Sequence, residues 1–176
     1  MDTKAIRLVL FDVDGVLTDG TLYIGAEGEV FKAFNARDGV AISLLKKYGI
    51  QVGIISGKAS KALDFRINQL GVEFAITGCN DKVAALKELM HIAKVELKQI
   101  AFVGDDIIDI GVMKKVALSI APSDAHQLVI DMAHYITSAK GGQGVARESA
   151  EYILENSGLT VKDMYSDMVG DFQIDQ

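Results

Sequence analysis

The chain has 176 residues, 49% apolar and 24% charged, with a single proline, which is the composition of one globular domain with a buried core. A formal net charge of −6 gives no basic field for nucleic acid, and no stretch approaches the ~18 consecutive apolar residues of a membrane span, so neither partner is expected. Cys79 is the only cysteine, which excludes an intrachain disulfide, and the N-terminus lacks the basic, apolar and small-residue order of a secretion signal; the expected setting is the cytoplasm.

In chain order, apolar runs alternate with helical periodicities. Ile6–Phe11 reads as a buried strand that ends on Asp12-Val13-Asp14-Gly15. Thr21–Ile24 and Glu29–Phe34 flank Gly25-Ala26-Glu27-Gly28 and predict an inserted hairpin over about residues 21–34. Asp38 is expected to cap a helix with the stripe Ala41, Leu44, Leu45 and Tyr48, stopped at Gly49. A strand at Gln51–Ile55 follows, then a stripe of Leu63, Ile67 and Leu70 ended by Gly71, then a strand at Phe74–Ile76. The next stripe, Val83, Leu86, Met90 and Ala93, starts behind a cap at Asn80 or Asp81, and further strands are expected at Gln99–Val103 and Val116–Ile120. In the tail, about residues 159–176, Val161, Met164, Tyr165, Met168 and Phe172 form a helical stripe suited to the domain's own core or to a neighbouring subunit. Continuous apolar strands alternating with helices predict an α/β fold, a Rossmann-like doubly wound parallel sheet in one domain over residues 1–176.

The chemistry sits where those strands end, the edge at which open α/β sheets bind ligands. Asp12 and Asp14 place two carboxylates beyond a buried strand, one suited to attack phosphorus and the other to handle the leaving-group proton. Ser56-Gly57-Lys58 offers a hydroxyl and backbone amides to a phosphate oxygen. Lys82 opens a helix, where the dipole disfavours a cation unless it neutralises an anion. Gly104-Asp105-Asp106-Ile107-Ile108-Asp109 brings hard oxygen ligands for a metal. Enzymes accelerate phosphate-monoester hydrolysis by up to ~10²¹-fold, and carboxylates alone repel the dianion, so such a site needs a nucleophile, a metal and fixed cations. Gly53–Ala59 is too short for a nucleotide-binding P-loop and has Ala59 where a Mg2+-binding hydroxyl belongs. Gly142–Arg147 lacks the third glycine of a dinucleotide fingerprint; it reads as a loop carrying Arg147 toward a phosphate or a partner subunit, or as a plain helix entry. His91, His126 and His134 have no metal-ligand spacing.

In this order the motifs resemble those of the haloacid dehalogenase superfamily of phosphatases, from residue 6 to about 150. The resemblance implies an aspartyl-phosphate on Asp12, with Asp14 acting as acid and then as base. Ser56 and Lys82 would hold the phosphoryl oxygens. Mg2+ would be held by the Asp12 carboxylate, the Asp14 backbone carbonyl and Asp105, and Asp106 and Asp109 would support bound water or Lys82. The hairpin and core elements fill the intervals from Asp14 to Ser56 and from Ser56 to Lys82, leaving no room for a cap domain. Val16–Gly20, Asn35-Ala36-Arg37-Asp38-Gly39 and Gly141–Glu148 are similar to the capless 3-deoxy-D-manno-octulosonate 8-phosphate phosphatase family of lipopolysaccharide precursor synthesis. That family implies a homotetramer built by the hairpins, with a neighbouring subunit completing each site, and a phosphorylated 2-keto-3-deoxy sugar acid as substrate. The implied substrate contacts are Asp14, Asn35, Arg37, Asp38, Gly39, Lys58, Arg66 and Lys82. Lys58 stands where the family usually has arginine and loses its bidentate geometry, so a nine-carbon sugar acid 9-phosphate is the alternative substrate. From other classes, the alternatives are a non-catalytic assembly module and a phosphoaspartate receiver.

Overall fold

In the computed structural model, which describes residues 3–169, strand β1 (Leu8–Phe11) is buried at every position. Its side chains alternate between two cores: Val9 and Phe11 join one, Leu8 and Leu10 the other. That is the two-residue period of a strand covered on both faces, and it explains why the run is continuously apolar. β1 lies inside a six-stranded parallel sheet that also contains β4 (Gln51–Ile55), β5 (Phe74–Ile76), β6 (Ile100–Val103), β7 (Leu118–Ala121) and β8 (Tyr135–Ile136). The order is β5-β4-β1-β6-β7-β8. Leu8 pairs with Gln51 on one side and Ile100 on the other, so β1, β4 and β6 end level at their carboxyl edge.

Helices cover both faces. On one lie α1 (Ala36–Lys47), α2 (Lys61–Leu70) and α6 (Val145–Asn156); on the other lie α3 (Lys82–Ala93) and the short α4 (Ile110–Met113) and α5 (Gln127–Ile130). Each fully buried Leu, Ile or Phe contributes about 1.5–3 kcal/mol, so Phe11, Leu44, Leu86 and Phe102, all at 0% exposure, rank among the strongest single contributors. The expected helix start at Asp38 is corrected. Asn35 is the cap, accepting from the Arg37 amide at 3.0 Å, and Asp38 falls inside the first turn and is buried. Gly71 ends α2 in the left-handed region at φ +60, as the sequence predicts, and Asp81 caps α3. Of the two readings of Gly142–Arg147, the structure takes the plain helix entry: α6 starts at Val145 behind Gly144.

The hairpin forms as β2 (Tyr23–Gly25) and β3 (Gly28–Phe31), a separate two-stranded sheet. Tyr23 and Phe31 stack with ring centroids 4.2 Å apart, while Ile24 and Val30 stand 65% and 64% exposed. Helix α7 (Val161–Val169) docks on the domain's own core through Met164, which is fully buried, and the Tyr165 hydroxyl donates to Glu151 at 2.8 Å. Of that stripe, the side chain of Met168 and all of Phe172 lie outside the described residues. Among the described residues, no helix is long and apolar enough to cross a membrane.

Truncating Met164 tests this docking. Met164→Ala is expected to lower the unfolding free energy by about 2–4 kcal/mol in urea at fixed protein concentration, whereas a helix that packs elsewhere would lose under about 0.5 kcal/mol.

Candidate active site

Asp12 extends β1 by one ladder bond, its amide donating to Val103 O at 2.9 Å, and so emerges between β4 and β6 while remaining 4% exposed. The chain must then turn sharply. Gly15 sits at φ +92, and a Cβ there would fall 2.0 Å from Asp105 Oδ2, so only glycine lets the turn after β1 approach the acidic segment after β6. Ser56 follows β4 and is 1% exposed; its hydroxyl accepts from the Lys58 amide at 3.2 Å.

Lys82 is the hub. Its ammonium lies 2.9 Å from Asp12 Oδ2 and 2.7 Å from Asp109 Oδ1. Asp109 is fully buried, and its Oδ2 accepts from the Asp105 and Asp106 amides at 3.1 and 3.3 Å. Asp81 accepts from the amides of Val83 and Ala84, which offsets the dipole penalty for a cation at this helix start. Burial alone would lower the Lys82 pKa, but Asp12 and Asp109 outweigh it and hold the ammonium above its usual range.

The carboxylates carry the opposite stress. Burial first, and the Asp109 charge second, push Asp12 up to about 6 despite Lys82. Burial, with Asp12 and Asp109, pushes Asp105 up to about 8. Oxygens of Asp12, Asp105 and Asp109 all lie within 4.8 Å of one another, and Asp105 Oδ1 is buried with no hydrogen-bond partner among the described residues. An orphaned carboxylate oxygen among hard donors fits a divalent cation such as Mg2+. Both oxygens of Asp109 are committed to Lys82 and to backbone amides, so Asp12 and Asp105 are the side chains that would hold it.

Asp12, Asp14, Ser56, Lys58, Lys82 and Asp105 line one cavity of about 300 Å³, with Leu22 and Ile108 as apolar walls. The Asp14 side chain does not turn to the metal cluster. Its Oδ1 meets Lys32 Nζ at 2.5 Å, and Thr18 Oγ1 donates to the same oxygen at 3.5 Å. Lys32 was not among the sequence-derived site residues, since nothing in the pattern of the hairpin marks one lysine as buried.

The other expected substrate contacts gather elsewhere. Asn35 Nδ2 donates to Gly142 O at 3.1 Å, and Arg66 donates to Asn35 O at 3.1 Å while lying over the Phe34 ring. Gly39 lies beside Arg66, where a Cβ would be 3.8 Å from its guanidinium, and Arg37 is exposed. Asp38, at 2% exposure, points inward, toward the backbone amides of Ala146 and Arg147, though neither oxygen makes a regular hydrogen bond. Burial pushes its pKa up to about 6 against those amides and Arg66. Arg147 pairs with Glu151 at 2.6 Å and stacks on Tyr165. Of the histidines, His126 caps α5 and His134 bonds Ser119.

The sequence pattern of the haloacid dehalogenase-like hydrolases matches residues 79–148. A 3-deoxy-D-manno-octulosonate 8-phosphate phosphatase from Yersinia pestis is 46% identical over 149 residues, 85% of this chain and 80% of that protein. A cobalt-bound deoxy-D-mannose-octulosonate 8-phosphate phosphatase from Haemophilus influenzae superposes with a TM-score of 0.87 at 38% identity, over 90% of this chain and 92% of that one. The Moraxella catarrhalis 3-deoxy-D-manno-octulosonate 8-phosphate phosphatase, solved with a magnesium ion, a phosphate ion and a KDO molecule, gives a TM-score of 0.84 at 35% identity, over 88% and 89% of the two chains.

The raised carboxyls predict a stability profile. A carboxyl with a folded pKa above its unfolded value has no effect at low pH and costs stability as pH climbs from the unfolded toward the folded value, because the unfolded chain sheds its proton first. Metal-free protein is therefore expected to lose stability from about pH 4 upward, through about 6 for Asp12 and about 8 for Asp105. Thermal melts should show Mg2+ raising Tm more at about pH 8 than at about pH 5, with Asp105→Asn flattening both effects. Equal Mg2+ shifts at both pH values would contradict this origin.

Proposed function

The chain belongs to the haloacid dehalogenase-like hydrolases, and from that membership and the site's chemistry we propose that it is a Mg2+-dependent phosphatase of 3-deoxy-D-manno-octulosonate 8-phosphate, acting in lipopolysaccharide precursor synthesis in the cytoplasm. The observation that carries the reading is the Lys82 ammonium bridging Asp12 and the fully buried Asp109 beside the unpartnered oxygen of Asp105, with Lys82, Asp12 and Asp105 lining one cavity.

Asp12 attacks phosphorus as the bond to the sugar oxygen breaks, and Asp14 gives that oxygen its proton. Water then attacks the aspartyl-phosphate while Asp14 takes its proton, which restores Asp12 and releases phosphate. Lys82 and the Ser56 hydroxyl hold the phosphoryl oxygens through both steps. The Asp12 and Asp105 carboxylates and the Asp14 backbone carbonyl would hold Mg2+, which would supply positive charge against the phosphoryl oxygens. Lys58, on the cavity wall, supplies a cation for the sugar acid. Because that cation is a lysine and not a forked guanidinium, the nine-carbon 2-keto-3-deoxy sugar acid 9-phosphate is the second reading. The exposed Ile24, Val30 and Phe31 support a homotetramer assembled through the hairpins.

The deciding assay is phosphate release from matched eight-carbon and nine-carbon substrates with and without Mg2+. A kcat/KM preference for the eight-carbon compound is expected, and Asp12→Asn should cut kcat about a thousandfold or more. No Mg2+-dependent turnover of either compound would remove the substrate class. In light scattering at micromolar concentration, four times the chain mass is expected; a monomer would contradict the tetramer.

A further inference from the structure

Lys32 lies one residue past β3, at the foot of the hairpin. Lysines on surface hairpins keep their ammonium in water. This one has a side chain only 1% exposed, with Nζ 2.5 Å from Asp14 Oδ1 and 3.0 Å from Glu29 Oε2. Lys32 and Thr18 both engage Asp14 Oδ1, and no partner of Oδ2 exists among the described residues, although Asp14 lines the cavity. One edge of the carboxylate is thus fixed and the other is available to the reaction.

We propose that Lys32 is a positioning residue for the acid/base Asp14. By holding Oδ1, it makes Oδ2 the atom that carries the proton. In the first step the Asp12–phosphorus bond forms, the phosphorus–alcohol bond breaks, and the Oδ2 proton passes to the departing oxygen. In the second, water's oxygen bonds phosphorus, the Asp12–phosphorus bond breaks, and water's proton passes to Oδ2. Glu29 holds the far side of the ammonium and so keeps Lys32 aimed. The inference rests on the phosphatase reading above, and it ties the hairpin, whose outer face is apolar and exposed, to the proton transfer inside.

The test uses the full chain with Mg2+ and compares wild type, Lys32→Met, Lys32→Gln and Lys32→Arg. Substrates are aryl monophosphates with leaving groups from p-nitrophenol to phenol, and the eight-carbon sugar acid phosphate. A displaced acid harms basic leaving groups most, because they depend on the proton. For the two neutral variants, the expected kcat loss is under about threefold with p-nitrophenyl phosphate, growing to about thirtyfold or more with the sugar acid phosphate, while KM stays within about twofold. Lys32→Arg should recover most of the loss. An equal loss across the series, no loss, or a change confined to KM overturns the proposal. So does failure of both neutral variants to fold by circular dichroism, which assigns Lys32 to hairpin stability alone. Wild type separates the two readings. Without Mg2+-dependent release from wild type, the phosphatase reading falls and this role with it; release from wild type with a flat variant profile removes only the role of Lys32.

Discussion

A single buried ammonium organises this molecule. Lys82 lies between Asp12 at the end of β1 and Asp109 in the turn after β6, both nearly or fully out of water. Stripping water from a charge costs several kcal/mol per ion, and the attraction inside repays it only when the remaining hydrogen bonds are made. Here they are made by placement. The Asp105 and Asp106 amides fix Asp109, and the level register of β1 and β6 brings Asp12 to meet the same cation. Small residues are then forced nearby: a Cβ at Gly104 would fall 2.7 Å from the Asp109 side chain. Such a cluster is weak evidence of stability, because apolar residues of the same volume often do as well. Its geometry suits the phosphoryl anion of the proposed reaction, which a fixed ammonium at the sheet edge would meet.

Much of this was legible in the sequence, for a definite reason. Strands covered on both faces read as apolar runs, so β1, β4, β6 and β7 stand out, and the half-exposed edge strand β5 keeps an apolar run too; β4 and β5 have the expected ends, and those of β1, β6 and β7 shift by a residue or two. Each then stops at the sheet edge, where a polar residue has few other reasons to follow, and Asp12, Ser56 and Asp105 are found by that break. Helix starts were less secure. Asn35 and Asp38 are both good caps, and only the backbone decides between them. Helix α6 carried a readable stripe in Ala146, Ala150, Ile153 and Leu154, hidden behind a glycine-rich entry that resembles a loop. The two-residue β8 is too short to give a pattern. Lys32 could not be found this way, since its burial is set by where the hairpin folds back, which no local periodicity encodes.

The segment from Asn35 to Gly39 changes meaning once it is placed. Its Asn35 and Asp38 side chains reach protein and not the cavity. Asn35 holds Gly142, Asp38 faces the first amides of α6, and Arg66 ties back to the Asn35 carbonyl. The Gly142 amide in turn donates to Val16 O at 3.0 Å, and a Cβ on Gly141 would sit 2.3 Å from Gly15 O. The Gly141–Gly144 turn therefore backs directly onto the turn that carries Asp12 and Asp14. A residue can be indispensable to such a site by fixing this backing without touching the ligand, which is one way a recognisable motif acts at a distance from the chemistry.

An open cavity is compatible with the proposed chemistry because of how hydrolysis divides. Water is a reactant in the second step, so the site must admit it; only the attack by Asp12 on the substrate needs protection from it. That protection is local here. Asp12 is 4% exposed and held against Lys82, while Leu22 and Ile108 border the cavity as apolar walls. In the proposed roles, the nucleophile Asp12 is shielded by its own setting at the strand end, and the acid/base Asp14, more exposed, stays within reach of solvent. Shielding one carboxylate and wetting the other suits the proposed two-step sequence without a covering domain. On the proposed reading the same division leaves the substrate's far end to the rest of the lining, where Lys58 offers a cation and Leu22, just before β2, an apolar wall.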